Sequence, residues 1–103
     1  MPNIYNIIIN SIKEYAYLIS LNSTKDSLAV YKLCIDLIAY IEDEFQDLDE
    51  LKQKEIKSIL ENNQFYQICS FHYYDFFLKE SDEKVIEKVI TKAQEFITNL
   101  VND

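Results

Sequence analysis

The sequence predicts an all-α protein: a compact antiparallel bundle of four to five helices forming one domain over residues 1–103. Three observations carry this. The chain has no glycine, and its one proline is Pro2. The positive-φ turns and bulges of β proteins draw mainly on glycine, so a hairpin fold would lack its usual turn residues. With no proline beyond position 2, nothing of that kind interrupts a helix either. Apolar residues make up 49% of the chain and aromatics 14%, which places it away from disorder and provides for one buried core.

The first helix is expected from Asn3 to about Leu21. Ile4, Ile8, Ile12, Tyr15 and Ile19 recur at three- and four-residue steps. Asn22-Ser23-Thr24 then offers side-chain oxygens to cap a second helix, from about Lys25 to Phe45. Its polar stripe is narrow: Lys25, Lys32, Asp36 and Asp43. Leu28, Tyr31, Ile35, Ile38 and Phe45 take one side, and Val30, Leu33, Leu37 and Ile41 take others. A helix with so thin a polar face needs cover from more than one neighbour.

Asp47 with Glu50 three residues later reads as a capping pair for a third helix, about Leu48 to Leu60. Its apolar set is Leu51, Ile56, Ile59 and Leu60. No strong breaker precedes it, which leaves open a kinked helix continuous with the second. Asn62-Asn63 is the next break. A fourth helix then holds the stretch FYQICSFHYYDFFLKE, Phe65 to Glu80. Ser81 caps a fifth, running to about Val101, whose apolar face is Val85, Ile86, Val89, Ile90, Ala93, Phe96, Ile97 and Leu100. The second and fourth helices are expected to be the most buried.

The formal net charge is −8, from 18 acidic residues against 10 lysines, with no arginine. The basic footprint that phosphates require is missing, so neither nucleic acid nor an anionic membrane surface is an expected partner. A basic protein is, because opposite potentials steer encounter. The first residues carry no basic n-region, and Asn6, Asn10, Lys13 and Glu14 interrupt the apolar run. Neither a signal peptide nor a membrane span is expected there, and the expected address is cytoplasmic.

Most chemistries lack their equipment. Without glycine there is no P-loop and no dinucleotide fingerprint. Without arginine there is no arginine phosphate clamp. The single histidine, His72, rules out HExxH zinc sites and paired ExxH di-metal sites. Cys69 stands three residues from His72, yet nothing identifies an oxyanion hole. Cys34 and Cys69 show no metal-ligand spacing and read as two reduced core thiols, with a disulfide left open. The acids Glu80, Asp82, Glu83 and Glu87 suit the first turns of the fifth helix. The expectation is a non-enzymatic protein with no cofactor and no metal.

Two features remain. The first is EDEFQDLDE, Glu42 to Glu50, in which six of nine residues are acidic and none is basic. Asp47, Asp49 and Glu50 suit the start of the third helix. Glu42, Asp43 and Glu44 instead occupy the end of the second, where the helix dipole disfavours anions by a few tenths to ~1 kcal/mol each. No EF-hand pattern with its central glycine is present. Such a patch suits either solubility or a Lys/Arg-rich partner.

The second feature is the aromatic stretch, with seven aromatic residues among the fourteen from Phe65 to Leu78. On a helical wheel Ile68, His72, Asp75 and Lys79 share one sector, and the rest is apolar or aromatic. Phe65, Cys69, Phe76 and Phe77 read as interior. Tyr66, Tyr73 and Tyr74 divide between the edge of the core and a partner face, because a tyrosine hydroxyl favours a site that stays wet.

In general plan this small acidic chain resembles bacterial immunity proteins that neutralise nuclease toxins. Tyr73-Tyr74, within FHYYDFF, is similar to the tyrosine pair of immunity proteins of the colicin DNase type. The proline that follows the pair in that family is Asp75 here, and the family's glycine-containing turn is absent. The resemblance implies an inhibitor that occludes a basic toxin or nuclease. The expected partner-binding residues are Glu42, Asp43, Glu44, Asp47, Asp49, Glu50, Tyr66, His72, Tyr73, Tyr74 and Asp75. Two rival readings are a structural or regulatory bundle that forms a homodimer, and an anti-defence inhibitor from a mobile element.

Overall fold

Five helices occupy the residues that the computed structural model describes, 3–22, 27–71 and 83–102: α1 (Ile4–Ser20), α2 (Ser27–Gln46), α3 (Glu50–Glu61), α4 (Gln64–Phe71) and α5 (Glu83–Asn102). No strand occurs among these residues. The all-α expectation holds.

Three of the helices start behind a short polar side chain that captures a free backbone N–H. Asn3 Oδ1 accepts from Tyr5 N at 2.9 Å, Asp49 Oδ1 from Lys52 N at 2.9 Å, and Asn63 Oδ1 from Tyr66 N at 2.8 Å. Asp49, not the expected Asp47, is therefore the cap of α3. The chain leaves α2 at Gln46, closes a turn through Leu48 N to Phe45 O at 3.2 Å, and is extended at Asp49 (φ −71°, ψ 166°). So α2 and α3 are separate helices, and Glu50 opens α3 instead of sitting three residues into it. The expected caps Ser23, Thr24 and Ser81 lie outside the described residues.

Helix C-termini pose a harder problem for this chain. The last carbonyls of a helix have no intrahelical donor, and many helices answer them with a left-handed glycine. No described residue has a positive φ. Leu21 and Asn62 stay in the right-handed region, and backbone N–H groups of the last turn share the donation with side-chain amides. Asn22 Nδ2 donates to Leu18 O at 2.8 Å and Asn62 Nδ2 to Ser58 O at 2.9 Å. Three glutamines donate across helices: Gln53 of α3 to Phe45 O of α2 at 3.1 Å, Gln67 of α4 to Leu60 O of α3 at 2.9 Å, and Gln94 of α5 to Ser20 O of α1 at 3.4 Å.

The molecule measures 40 × 35 × 21 Å. Its short dimension matches about two helix diameters of 10–12 Å each, hence two layers. α5 packs most extensively on α1 and also meets α4 and α2, while α3 joins the bundle through α4. α2 is covered by α1, α4 and α5, as its thin polar stripe requires. It buries Val30, Cys34, Leu37, Ile38 and Ile41; α1 buries Ile8, Ile12, Ala16 and Ile19; α5 buries Ile86, Val89, Ile90 and Ala93. Three residues expected on apolar faces, Leu28, Leu51 and Leu100, are 61%, 69% and 37% exposed. Leu28 and Leu51 are each the second residue of their helix, ahead of the first buried positions Val30 and Ile56, and Leu100 lies in the last turn of α5, beyond its last buried position Ala93.

The short α4 is pinned from two sides. Phe65 stacks on Phe96 of α5 with ring centroids 6.1 Å apart and planes at 23°. The Cys69 thiol donates to Cys34 Sγ of α2 at 3.8 Å, and both cysteines are buried free thiols. That bond, followed by burial, pushes the Cys69 thiol well up from its ordinary value. The expected interior residues Phe76 and Phe77 lie outside the described segments.

Phe65→Ala is expected to cost ~3–5 kcal/mol of unfolding free energy in chemical denaturation, because a large ring at 1% exposure leaves a cavity. Gln53→Ala and Gln67→Ala are each expected to cost about 0.5–1.5 kcal/mol, the usual net worth of one hydrogen bond. If both variants unfold at the wild-type midpoint, the cross-helix amides contribute nothing to stability.

Candidate functional site

The acidic stretch straddles the end of α2 and the start of α3. Glu42, Asp43, Asp47, Asp49 and Glu50 are exposed and Glu44 is half-buried. Among the described residues none of the six takes part in an ion pair. Asp49 has a structural duty as the α3 cap. Glu50 sits in the first turn of α3, where the dipole favours it. Glu42, Asp43 and Glu44 have neither support, and the last turn of α2 holds no basic residue.

Tyr66, expected on a partner face, is instead 7% exposed and belongs to the core with Phe65 and Cys69. The reason is that α4 is covered by α2, α3 and α5, which closes over most of its circumference. Burial, and then the Glu42 carboxylate, pushes the Tyr66 phenol up to about 12. His72, Tyr73, Tyr74 and Asp75 lie outside the described residues.

Among the described residues, two tyrosines reach the surface. Tyr17 is 53% exposed and Tyr40 is 37% exposed. Tyr40 lines a groove of about 340 Å³ between α1 and α2, together with Tyr15, Glu14, Asp36, Leu18 and Leu33. Burial raises the Tyr15 phenol from its ordinary value, with the Asp36 and Glu14 carboxylates and Tyr40 adding to it. Asp43 and Glu44 follow Tyr40 by three and four residues, so the groove opens onto the face that carries the acidic end of α2.

Sequence reasoning missed this groove. Asp36 stood on the recognised polar stripe, but Tyr15 was assigned to the apolar run of the first helix. Tyr40, one turn from Asp36, was the legible signal: an aromatic residue at the edge of a charged stripe.

Among the described residues no group of three or more potential metal ligands converges, and no helix is long and apolar enough to cross a membrane. The chain matches no known family model, and no curated protein or solved structure is similar to it.

The burial of Tyr66 sets an alkaline limit. Its folded-state value lies above the unfolded value of 10.0, so its stabilisation is complete below pH 10 and is lost as pH rises through about 12. Cys69 shifts in the same direction. The melting temperature of the wild type is expected to fall over this window, and that of Tyr66→Phe to fall less. Parallel melting profiles for the two proteins would show that the Tyr66 hydroxyl plays no part in the alkaline transition.

Proposed function

We propose that this protein is a non-enzymatic binding protein that occludes a basic protein partner, in the manner of an immunity-type inhibitor of a toxin or nuclease. The carrying observation is the set Glu42, Asp43 and Glu44: carboxylates without ion-pair partners among the described residues, at a helix end whose dipole opposes them. Folding gains nothing from charge at that place, whereas a cationic partner would. Tyr40 supplies an aromatic side chain next to the acids, and tyrosine is among the residues enriched at protein interfaces.

A second reading is a homodimer. Tyr17, Leu18 and Leu21 are exposed on the last turn of α1, at 53%, 39% and 67%. Light scattering separates the two, because a salt-insensitive dimer of pure protein favours self-association and a monomer favours a different partner.

The binding reading is tested by co-purifying the chain with the products of adjoining genes and following association by stopped flow. Association is expected to slow as ionic strength rises, since exposed charges are screened within about 8 Å at physiological salt. The triple variant E42Q/D43N/E44Q is expected to associate more slowly, with an unchanged or slightly raised melting temperature. Wild-type kinetics in that variant would reassign the acidic stretch to solubility.

A further inference from the structure

The groove between α1 and α2 has a composition that the acidic surface alone does not. Its walls carry two carboxylates, Glu14 and Asp36, and two phenols, Tyr15 and Tyr40, over the aliphatic side chains of Leu18 and Leu33. Glu14, Asp36 and Tyr40 are exposed, while Tyr15 and Leu33 are half-buried. Ser11, at one end, is occupied: its hydroxyl donates to Ile7 O at 2.9 Å.

Among the described residues no lysine lines the groove. Lys13 and Lys32 are the nearest lysines along α1 and α2, and neither forms an ion pair. Lys32 precedes Asp36 by four residues, the weaker of the two orders for a helical Lys–acid pair. The Asp36 and Glu14 carboxylates both raise the Tyr15 phenol, so the local potential is negative where apolar surface is also present. Negative potential, aromatic rings and an aliphatic base together fit one kind of occupant: a cation carried on an apolar stem.

We propose that this groove is a recognition pocket for an arginine side chain of the protein's partner. A guanidinium meets each part of it. Its planar fork matches a carboxylate, it stacks on aromatic rings, and it is more weakly hydrated than a lysine ammonium, so it loses less on leaving water. Its methylene stem covers the leucine side chains. The volume of about 340 Å³ falls at the lower end for a small-molecule site and suits one side chain better than an extended segment. The groove and the acidic end of α2 lie on one helix, with Asp36 and Asp43 about 10 Å apart at 1.5 Å of rise per residue. One basic surface can therefore meet both. This inference rests on the proposed reading of a basic protein partner and adds to it the place where one residue of that partner is held.

The test uses the full chain and a defined probe, N-acetyl-L-arginine amide, titrated while the backbone and tyrosine NMR signals are followed. N-acetyl-L-lysine amide and neutral N-acetyl-L-norleucine amide serve as comparisons. Arginine amide is expected to shift the signals of Tyr15, Leu33, Asp36 and Tyr40, with lysine amide weaker and norleucine amide without effect. Asp36→Asn and Glu14→Gln are each expected to weaken the arginine probe by about threefold, the scale of a partly exposed ion pair. Tyr40→Leu, which keeps the apolar bulk, is expected to weaken it as well. E42Q/D43N/E44Q is expected to leave it unchanged. Melting temperatures of all four variants verify that the fold is intact. Shifts confined to Glu42–Glu50, equal response to arginine and norleucine, or no shift at all would each overturn the pocket. None of these outcomes touches the salt-dependent association with a protein partner, so the pocket can fail while the wider reading stands.

Discussion

A chain without glycine lacks the usual left-handed helix cap, no described residue has a positive φ, and much of this structure follows from that constraint. The carbonyls at the ends of α1, α2 and α3 still need donors, and backbone N–H groups of the following turn answer some of them. Gln94, Gln53 and Gln67 add a further donor each, from a different helix than the one it caps. A glycine cap closes a helix locally. A glutamine from another helix closes it and fixes the spacing of the two helices at once. The Gln53 and Gln67 bonds are part-buried and so lie partly away from bulk water. The two short connections, Asp47–Asp49 and Asn62–Asn63, are held on both sides: an acid or amide caps the helix that follows, and a glutamine caps the helix that precedes.

This arrangement bears on the acidic surface. The end of α2 combines three unfavourable charges with a set of unpaired carbonyls that already carry partial negative charge. Left alone, such an end would fray. Gln53 answers Phe45 O, and Ile38 and Ile41 anchor the preceding turns in the core. The helix end is thus tied down by packing and by one neutral donor, which does not cancel the charge of Glu42, Asp43 and Glu44. A lysine in place of Gln53 would satisfy the same carbonyl and neutralise part of the patch. An amide leaves the negative potential in place, as the proposed basic partner would require, and the local cost is absorbed by the burial of α2 against three neighbours.

The helices were legible in the sequence because their periodicity is strong and little interrupts it. The face from Val85 to Ile97 is buried or half-buried as its spacing implies. The failures have specific causes. Asp47 and Asp49 both precede acidic residues, and the pattern with a glutamate three residues on favours Asp47. The actual cap, Asp49, has Lys52 at that place and so lacks the reciprocal pairing that marks a capping box. Tyr66 lay inside a broad apolar arc, where the direction of one ring depends on which neighbour covers it. That is a property of the packing of α4 among α2, α3 and α5 and not of α4 alone. The groove was invisible for a related reason. It consists of half-faces of two helices, Glu14–Leu18 on one and Leu33–Tyr40 on the other, and neither half reads as a site.

Rate and affinity place different demands on a surface, and α2 offers a region suited to each. Exposed, flexible carboxylates act at a distance through the potential they create, and exposed pairs formed by them are individually weak. They accelerate encounter but hold little. A concave site with aromatic and aliphatic walls acts only on contact, and desolvated anchors of that kind account for most of the binding energy in protein interfaces. On α2 the two regions are consecutive turns of one rigid helix, Asp36–Tyr40 and then Glu42–Glu44. On the proposed reading, a basic partner drawn by the acidic end would find the groove on the same helix. The geometry argues for a preformed surface, in which the cost of ordering has already been met by folding. The helix at the centre of the core, covered by α1, α4 and α5, is thus also the one that carries the surface of the proposed recognition.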